Sequence, residues 1–424
     1  MLDIKFIREN KDVVIKNLEK KFQEDKIESL EVLLEKDEIY RKILKESEIL
    51  RSKRNKLSES INTAKKEGKD VAPIIQEAKE IPGKIKELEE QIAQLKQEIT
   101  DLQKKIPNII AETVPIGKDE SENIVILKGP EPRNFTFDVK NHVELVETLG
   151  LVNFEASAKV SGAGFYYLID ELAILNQALI RFAIDFMRTK KYQYIETPLM
   201  LSEECLYGSM DKAEIDDSVY TLTDGGGLIG TAEQSLLAMH TGDTFQESEL
   251  PKKYFSYSMC FRKEIGAHGI NEKGLWRTHQ FNKVEQFIFC KPEDSPKLYE
   301  ELLQNSKEIL EQLELPYRVI ECCSGDLANW KHKSADLEVW RPTTKSYGEV
   351  MSLSNCTSYQ AEALGIKWVD KHGNREFVHT LNDTALATSR IMVMILENNQ
   401  QEDGSIIVPK VLQKHTGFEV IKKK

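Results

Sequence analysis

The sequence predicts an α+β fold in which a long helical hairpin precedes a body built on an antiparallel sheet. Before residue 107, apolar residues recur at the spacing of a coiled-coil seam, and from about residue 130 short β-like runs alternate with longer helices. The chain has 424 residues, which exceeds what one compact core normally holds. We therefore expect two domains, residues 1–108 and residues 109–424.

The helical part is indicated by apolar residues spaced alternately by three and four, the 3.5-residue repeat of a coiled-coil seam. The cleaner of two such stretches is about 43 Å long at 1.5 Å per residue. It consists of Ala78, Ile81, Ile85, Leu88, Ile92, Leu95, Ile99, Leu102 and Ile106. An earlier stretch, interrupted at two positions by Ser47 and Arg54, follows the same repeat through Tyr40, Ile43, Leu50, Leu57, Ile61 and Ala64.

This periodicity alone favours a dimeric coiled coil, but the segment between the two stretches favours a hairpin within one chain. Residues 65–73, KKEGKDVAP, combine glycine, charges and proline in a way that is typical of a turn. Two complementary stripes joined by a short turn can pack against each other as antiparallel helices. Pro82 removes one helical hydrogen bond, so we expect the second helix to begin or bend there.

The body is expected to place helices against an antiparallel sheet, because many short strands occur with few β–α–β alternations. Apolar residues from Leu172 to Phe186 mark one amphipathic helix, and a closing helix is expected at residues 385–399. The run YQYIETPLM contains Pro198 and is predicted to lie at a sheet edge. Further strands are predicted around Trp340 and at residues 253–261, 283–290, 317–322, 349–353 and 377–381.

Composition limits the classes of function. The 58 Lys and Arg residues against 70 Asp and Glu residues give a formal net charge of −12, which excludes a generally basic nucleic-acid coat but allows a local basic surface. No apolar run approaches the roughly 20 residues that span a bilayer, and the N-terminus lacks a signal-peptide core. The six cysteines show no C-x-x-C spacing and are interpreted as reduced thiols. We therefore expect a cytoplasmic protein that does not bind membranes.

Candidate chemistry is concentrated in residues 252–283, where seven Lys and Arg residues stand against two Glu residues. A strand, a charged loop and a second strand can cradle a polyphosphate, because Arg262 and Arg277 can each hold phosphate oxygens in a fork. Glu264 lies two residues after Arg262 on the expected strand and should face the same side of the sheet. Phe281, among polar neighbours, is placed to stack on a base. The charges alone would equally suit an ordinary hairpin with a solvated loop.

Two stretches, CFRKE and GLWRTHQFNKVEQF, resemble motif 2 of class II aminoacyl-tRNA synthetases, and specifically the version found in the seryl-tRNA synthetase family. Other segments similar to that family are MLDIKFIREN, IPNII, VPIGKDESENIVI, NFEASAKVSG and ILENNQ. The resemblance therefore extends over essentially the whole chain. It implies a class II antiparallel sheet with flanking helices and an N-terminal coiled-coil arm. It also implies a ligase that uses ATP to charge tRNA(Ser) with L-serine, and tRNA(Sec) stays open as a further acceptor.

The resemblance implies a role for each residue of the site. Arg262, Glu264 and Arg390 are expected to be catalytic. The expected serine-binding residues are Thr231, Ala232, Glu233, Arg262, Glu285, Asn382 and Thr384. The expected ATP-binding residues are Arg262, Lys263, Glu264, Arg277, Phe281, Glu349, Val350, Met351, Ser352 and Arg390. Glu349 is also expected to hold Mg²⁺ together with ATP, since magnesium prefers carboxylate, water and phosphate oxygens.

Several of these residues have a purely structural explanation as well. Thr231 followed by an acidic residue is typical of a capped helix N-terminus. On a regular strand, Glu349 and Met351 would share one face opposite to Ser352. Without the resemblance, Arg390 would be interpreted as a helical surface cation.

The segment at residues 380–390 resembles motif 3, although it departs from the common bacterial pattern. Asp383, Ala385 and Ser389 stand where glycines are frequent, and the dipeptide at residues 362–363 replaces two usual arginines. Because glycine permits close approach of the backbone, these departures bear on the geometry of the loop.

The resemblance also implies binding partners for the chain. The arm is expected to lie along tRNA phosphates through Arg51, Arg54, Lys65 and Lys66. These charges would equally suit a solvated helix face. The helix before Tyr192 resembles motif 1, which implies a homodimer. No zinc site is expected, because Cys322 and Cys323 are adjacent without ligand spacing and the arm is similar to that of the zinc-free branch.

Two other classes of function stay open. A paralogue could pass an activated amino acid to a carrier protein, but such relatives lack the long arm. A non-catalytic RNA-binding or scaffold protein could keep the fold. In such a protein we would expect Arg262, Glu264 or Arg390 to be replaced, but all three are present.

Overall fold

The computed structural model describes residues 1–68, 70–264 and 274–423. The chain divides into two units, Leu2–Pro107, here named the arm, and Asn108–Lys424 together with Met1, here named the body. The polar loop expected between the two motif 2 strands, residues 265–273, lies outside the described residues.

The arm consists of helices, and its two long helices form a hairpin within one chain. Lys36 pairs with Glu98 at 2.7 Å and Arg51 pairs with Glu89 at 2.7 Å. The partner's number falls as the first residue's number rises, so the helices are antiparallel and the predicted hairpin is confirmed. The helices are α1 (Ile4–Glu9), α2 (Lys11–Lys20), α3 (Ile27–Lys66) and α4 (Ala72–Gln103).

The heptad positions face the inside of this hairpin. Ile81, Ile85 and Ile99 on α4 are buried. Of the two interruptions on α3, Ser47 is also buried, whereas Arg54 is exposed. The expectation that the second helix begins or bends at Pro82 is wrong about the start, because α4 begins at Ala72 and continues through the proline.

The body is built on an eight-stranded sheet with the order β1-β8-β9-β10-β13-β7-β6-β2. Neighbouring strands are antiparallel except for the edge pair β2 and β6, which is parallel. The strands of this sheet are β1 (Ile124–Lys128), β2 (Gln193–Tyr194), β6 (Lys252–Phe261), β7 (Gln280–Cys290), β8 (Tyr317–Glu321), β9 (Lys333–Arg341), β10 (Ser346–Thr357) and β13 (His379–Ala387). The predicted antiparallel α+β body is confirmed.

Shorter strands form small sheets outside the main one. They are β3 (Met200–Leu201), β4 (Gly227–Leu228), β5 (Thr244–Gln246), β11 (Lys367–Val369), β12 (Arg375–Phe377), β14 (Ile406–Ile407) and β15 (Val420–Ile421). The run around Pro198 forms only the two-residue strands β2 and β3 on either side of the proline, which agrees with an edge position.

Helices pack on the sheet through their apolar faces. Leu172, Leu175 and Leu179 of α7 are fully buried against the sheet, as the amphipathic pattern predicts. The helices of the body are α5 (His142–Thr148), α6 (Phe154–Ser161), α7 (Asp170–Thr189), α8 (Glu203–Ser209), α9 (Lys212–Ser218), α10 (Ala232–Ala238), α11 (Ser295–Gln312), α12 (Tyr359–Leu364), α13 (Thr388–Asn398) and α14 (Lys410–Thr416).

The closing helix begins later than expected. Residues 385–387 belong to strand β13, where Leu386 and Ala387 pair with β7, so α13 begins at Thr388.

Among the described residues, no helix combines the length and the apolarity that crossing a membrane requires.

Candidate active site

A cavity of about 300 Å³ lies on the body, where the ends of β6 and β7 meet the middle of β10 and β13. The start of α10 and the first turn of α13 complete its wall. Twelve residues expected from the sequence line it, namely Thr231, Glu233, Arg262, Glu264, Arg277, Phe281, Glu349, Val350, Ser352, Asn382, Thr384 and Arg390. The fold therefore brings together residues from four separate segments of the chain.

One end of the cavity holds a buried network of opposite charges. Thr231 caps α10 and donates its hydroxyl to the Glu285 carboxylate at 3.1 Å. Lys283 contacts the same carboxylate at 2.6 Å and donates to the Thr231 hydroxyl at 3.2 Å. The side chains of Lys283 and Glu285 are only 9% and 1% exposed. The network fixes the wall of the cavity at the start of α10.

Glu233 stands beside this network as a second acidic group. It accepts hydrogen bonds from the side-chain amides of Gln360 at 2.8 Å and Asn382 at 3.0 Å. Burial, together with the nearby Glu285 carboxylate, raises the pKa of Glu233 to about 6. Glu233 lines the cavity, where its carboxylate can attract a cation, and an ammonium group bound beside it would favour the ionised form of Glu233.

The two arginines of the motif 2 segment take different positions. Arg262 donates from Nε to the Gly230 carbonyl at 3.2 Å, and its guanidinium lies 5.4 Å from the centre of the Phe281 ring. Arg277 instead pairs with Glu264, at 2.9 Å between Nη1 and Oε2. Both guanidinium groups line the cavity, where they can meet phosphate oxygens.

The expectation that Arg262 and Glu264 share one face of a strand is wrong. Strand β6 ends at Phe261, and the backbone of Glu264 has a positive φ of 50°. The chain therefore turns after the strand, and Glu264 reaches Arg277 across the hairpin.

Strand β10 contains a β-bulge that decides which of its residues face the cavity. The pairing with β9 shifts between Glu349 and Met351, so that one extra residue, Val350, is inserted. Glu349 and Ser352 therefore both line the cavity, although regular alternation would place them on opposite faces. The Met351 side chain packs in the hydrophobic core, so the expectation that Glu349 and Met351 share a face is wrong.

Arg390, at the start of α13, is held against the bulged strand. It donates from Nη1 to the Glu349 carbonyl at 2.8 Å and lies 3.2 Å from the Glu349 carboxylate. Burial opposes ionisation of Glu349, but the Arg390 guanidinium holds the pKa of that carboxyl below its usual range. Because the Glu349 carboxylate stays ionised, it can bind a metal ion, including one that is held by the phosphates of a nucleotide.

Four expected residues do not line the cavity. Ala232 is fully buried in α10, and Met351 is in the core. Lys263 points away and donates to the Asp216 carbonyl at 3.3 Å. Glu285 lies just behind the cavity wall and reaches it through Thr231.

The structure adds residues that the motifs did not indicate. Lys331, in the loop before β9, lines the cavity and donates to Ser334 at 3.2 Å and to Ser352 at 3.4 Å. Burial would lower the pKa of Lys331, but the neighbouring Asp336 carboxylate raises it above the usual range, so the ammonium stays charged. Nothing in the local sequence marks Lys331, whereas Lys283 could have been found because it lies two residues before Glu285 on the same strand face.

In the arm, the four basic residues predicted to bind tRNA are exposed on the hairpin. They are Arg51, Arg54, Lys65 and Lys66. Arg51 is engaged with Glu89, so its charge is partly neutralised within the arm.

Comparisons with known proteins agree with this architecture. Residues 220–399 match the tRNA synthetase class II core domain (G, H, P, S and T), and residues 1–110 match the seryl-tRNA synthetase N-terminal domain. Fold and site thus define a class II aminoacyl-tRNA synthetase.

Individual relatives narrow the class further. A serine–tRNA ligase of Methanocorpusculum labreanum is 43% identical over 99% of this chain and 100% of its own length. The crystal structure of seryl-tRNA synthetase from Pyrococcus horikoshii complexed with ATP superposes with a TM-score of 0.93, at 39% identity and with full coverage of both chains. The cytoplasmic serine–tRNA ligase of Naegleria fowleri in complex with AMP gives a TM-score of 0.88 at 33% identity over 100% of this chain and 99% of that one. The chain belongs to the seryl-tRNA synthetase family.

Proposed function

We propose that this chain activates L-serine with ATP to form seryl adenylate and pyrophosphate, and then transfers the seryl group to tRNA(Ser) with release of AMP. The observation that carries the proposal is that one cavity places an acidic pocket for an amino acid directly beside arginines suited to a polyphosphate.

The acidic end of the cavity suits the ammonium group of serine. Glu233 provides a carboxylate for a charge-assisted hydrogen bond, and Thr231, the cap of the same helix, provides a hydroxyl. Ala232 would contribute through its main chain, because its side chain is buried. Asn382 holds Glu233 in place and can also reach the substrate.

Selection for the serine hydroxyl is assigned to Glu285 and Thr384. These two residues lie directly opposite each other in the pairing of β7 with β13, so their side chains share one face of the sheet. A site that hydrogen-bonds a substrate hydroxyl leaves buried polar groups unpaired when alanine binds. Such a site can discriminate against alanine relative to serine by roughly 10⁴-fold. Threonine must be excluded by the size of the pocket.

The basic end of the cavity suits ATP. Phe281 offers an aromatic face for the adenine base, once Arg262 moves from its ring to the α-phosphate. Arg390 and Arg277 are placed for the remaining phosphates, and the main chain of residues 349–352 borders the nucleotide. These arginines can stabilise the negative charge that develops on the phosphates as the adenylate forms. This stabilisation lowers the activation free energy of that step.

The reaction needs no nucleophile from the protein. A carboxylate oxygen of serine attacks the α-phosphorus in line, and the bond from that phosphorus to the pyrophosphate oxygen breaks. A terminal ribose hydroxyl of the tRNA then attacks the carbonyl carbon of the adenylate, the bond from that carbon to the phosphate oxygen breaks, and AMP leaves with its phosphate taking up the hydroxyl proton. Arg262, Glu264 and Arg390 are proposed as the residues that orient and neutralise the phosphates.

Magnesium is proposed as the metal that accompanies ATP. Glu349 and Ser352 supply one carboxylate and one hydroxyl oxygen to the same wall, a donor set that fits Mg²⁺ bound mainly by phosphates and water. When bound, the ion would neutralise phosphate charge and favour departure of pyrophosphate. The absence of a zinc requirement stays a prediction.

The arm is proposed to bind the tRNA, with Arg54, Lys65 and Lys66 as the phosphate contacts and Arg51 as a contact that must first exchange its partner Glu89. On this proposal, residues 1–108 act in tRNA binding and residues 109–424 in catalysis. A homodimer and a cytoplasmic location belong to the same proposal.

The experiment that tests the function is ATP–pyrophosphate exchange with each of the twenty amino acids, with and without Mg²⁺. Exchange with serine alone supports the proposal, and exchange with another amino acid would contradict the role given to Glu285 and Thr384. Folded protein that binds RNA without any exchange would refute the enzyme and favour a scaffold. Arg390→Ala should abolish exchange, whereas the matched change Arg375→Ala, at an exposed arginine of β12, should leave it unchanged.

A further inference from the structure

We infer that Trp276 is a positioning residue for ATP, because its indole ring holds the Arg390 guanidinium in place over the cavity. The inference rests on the proposed function and deepens it. It concerns a residue that lies within the motif 2 stretch, one position before Arg277, and to which the sequence analysis assigned no role.

The indole lies against the arginine on the wall of the cavity. The Arg390 Cζ atom is 5.2 Å from the centre of the Trp276 ring, within the range of a cation–π interaction. Both residues line the cavity. The remaining contacts of Arg390 are made at one edge of its guanidinium, to the carbonyl and carboxylate of Glu349. The ring thus adds a contact to the guanidinium beyond the polar contacts with Glu349.

Trp276 is itself held by a second, buried arginine. Arg341 Cζ lies 4.6 Å from the same ring, and its guanidinium is paired with Glu397 at 3.0 Å. Glu397 also accepts from the Thr343 hydroxyl at 2.7 Å and contacts His142 Nδ1 at 3.1 Å. Burial would raise the pKa of Glu397, but these partners lower it to about 2, so the carboxylate that anchors Arg341 stays ionised.

The same network fixes the backbone next to the indole. His142 Nε2 accepts a hydrogen bond from the main-chain amide of Leu275 at 3.2 Å. Leu275 itself is fully buried. The position of the Trp276 ring is therefore determined from the core and does not depend on a bound nucleotide.

The facing strand is shaped to admit the ring. A Cβ atom at Gly348 would lie 2.6 Å from Cη2 of Trp276, closer than side chains allow. Gly348 immediately precedes Glu349, the residue that binds the edge of Arg390. Ring, glycine and arginine therefore form one packed unit, here named the Trp276 bracket (Trp276, Gly348, Arg390).

The bracket matters for ATP because a long arginine side chain must otherwise lose rotamer freedom when it binds phosphate. A ring that holds the guanidinium in advance removes part of that loss. Loss of a cation–π contact in a desolvated site is expected to weaken ATP binding by ~5- to 30-fold. Serine is bound by other residues, so its KM should not change.

The experiment compares Trp276→Leu, Trp276→Phe and the control Trp340→Leu in the full-length protein. Trp340 is half-buried like Trp276, but its ring packs on Tyr347 outside the cavity. Dissociation constants for ATP are measured by calorimetry, and kcat and KM by serine-dependent pyrophosphate exchange, normalised by active-site titration. We expect Trp276→Leu to weaken ATP binding ~5- to 30-fold, Trp276→Phe to retain affinity within ~3-fold, and Trp340→Leu to have no effect.

A double-mutant cycle separates support of Arg390 from direct contact between the indole and the nucleotide. If Trp276 acts through Arg390, adding Trp276→Leu to Arg390→Ala causes no further loss of ATP affinity. A full further loss would overturn the inference, as would equal effects of the leucine and phenylalanine variants or a change in serine KM alone.

Calorimetry with ATP alone keeps this test independent of the proposed function. Wild-type protein that binds ATP but shows no serine-dependent exchange would refute the function, while the variants would still decide the role of Trp276. Wild-type protein that does not bind ATP would refute both.

Discussion

Replacing Lys283 by methionine tests whether the acidic end of the cavity depends on a buried ion pair. The Lys283 ammonium lies 2.6 Å from the Glu285 carboxylate, and the two side chains are 9% and 1% exposed. Removing one partner of such a pair leaves a buried charge uncompensated, which costs about 3–5 kcal/mol. Glu285 would keep one donor, the Thr231 hydroxyl at 3.1 Å. We therefore expect the lower end, a loss of about 3 kcal/mol.

The assay is urea denaturation followed by tryptophan fluorescence. All four tryptophans lie in the body, so the signal reports the unit that contains Lys283 and not the arm. The double change of Lys283→Met with Glu285→Gln removes both charges and should recover stability to within about 1.5 kcal/mol of the wild type. As a control, Lys252→Met breaks a more exposed pair with Glu249 and should cost at most about 1 kcal/mol. A loss below about 1 kcal/mol for Lys283→Met, or a double variant no more stable than the single one, would refute the reasoning.

Three further predictions concern serine, magnesium and tRNA. Burial and Glu285 raise the pKa of Glu233 to about 6, so serine KM should rise ~10-fold per pH unit below pH 6, and Glu233→Gln should remove this dependence. The folded protein also binds this proton more tightly than the unfolded chain, so the group's contribution to stability, present at low pH, is lost as pH rises through about 6. Glu349→Gln should raise the Mg²⁺ concentration for half-maximal exchange, and an unchanged requirement would remove Glu349 from the metal site. Arg54→Glu with Lys65→Glu should weaken tRNA binding and flatten its salt dependence without affecting pyrophosphate exchange.

The arm could be predicted from the sequence because its signal is local and periodic. The seam residues specify two helices, and the short segment between them favours folding back over dimerisation. The start of α4 was missed because Pro73 was interpreted as part of the turn. In the structure it lies in the first turn of the helix, where a missing amide hydrogen is tolerated. The later Pro82 lacks one hydrogen bond but does not end so long a helix.

The site could be predicted only in part. Local charge indicates Arg262 and Arg277 as phosphate ligands, whereas the roles of Glu233 and Arg390 are implied only by the resemblance to class II synthetases, because each alone is also typical of an ordinary helix. The partner of Glu264 could not be predicted, since it depends on where β6 ends and on a positive φ at that residue. Lys331 was missed because its role depends on long-range placement beside Ser352, and neighbouring residues give no sign of it.

The bulge in β10 makes the cavity sensitive to the number of residues in the strand as well as to their identity. Val350 is the extra residue, and the shift in pairing allows Glu349 and Ser352 to face the same side. If the same residues paired with β9 without this shift, Glu349 and Ser352 would face opposite sides of the sheet, and one of these two polar side chains would turn into the hydrophobic core. If Val350 were deleted, Glu349 and Ser352 would instead stand two positions apart on a regular strand and would keep a common face. Residue number and pairing register therefore decide together which side chains line the cavity.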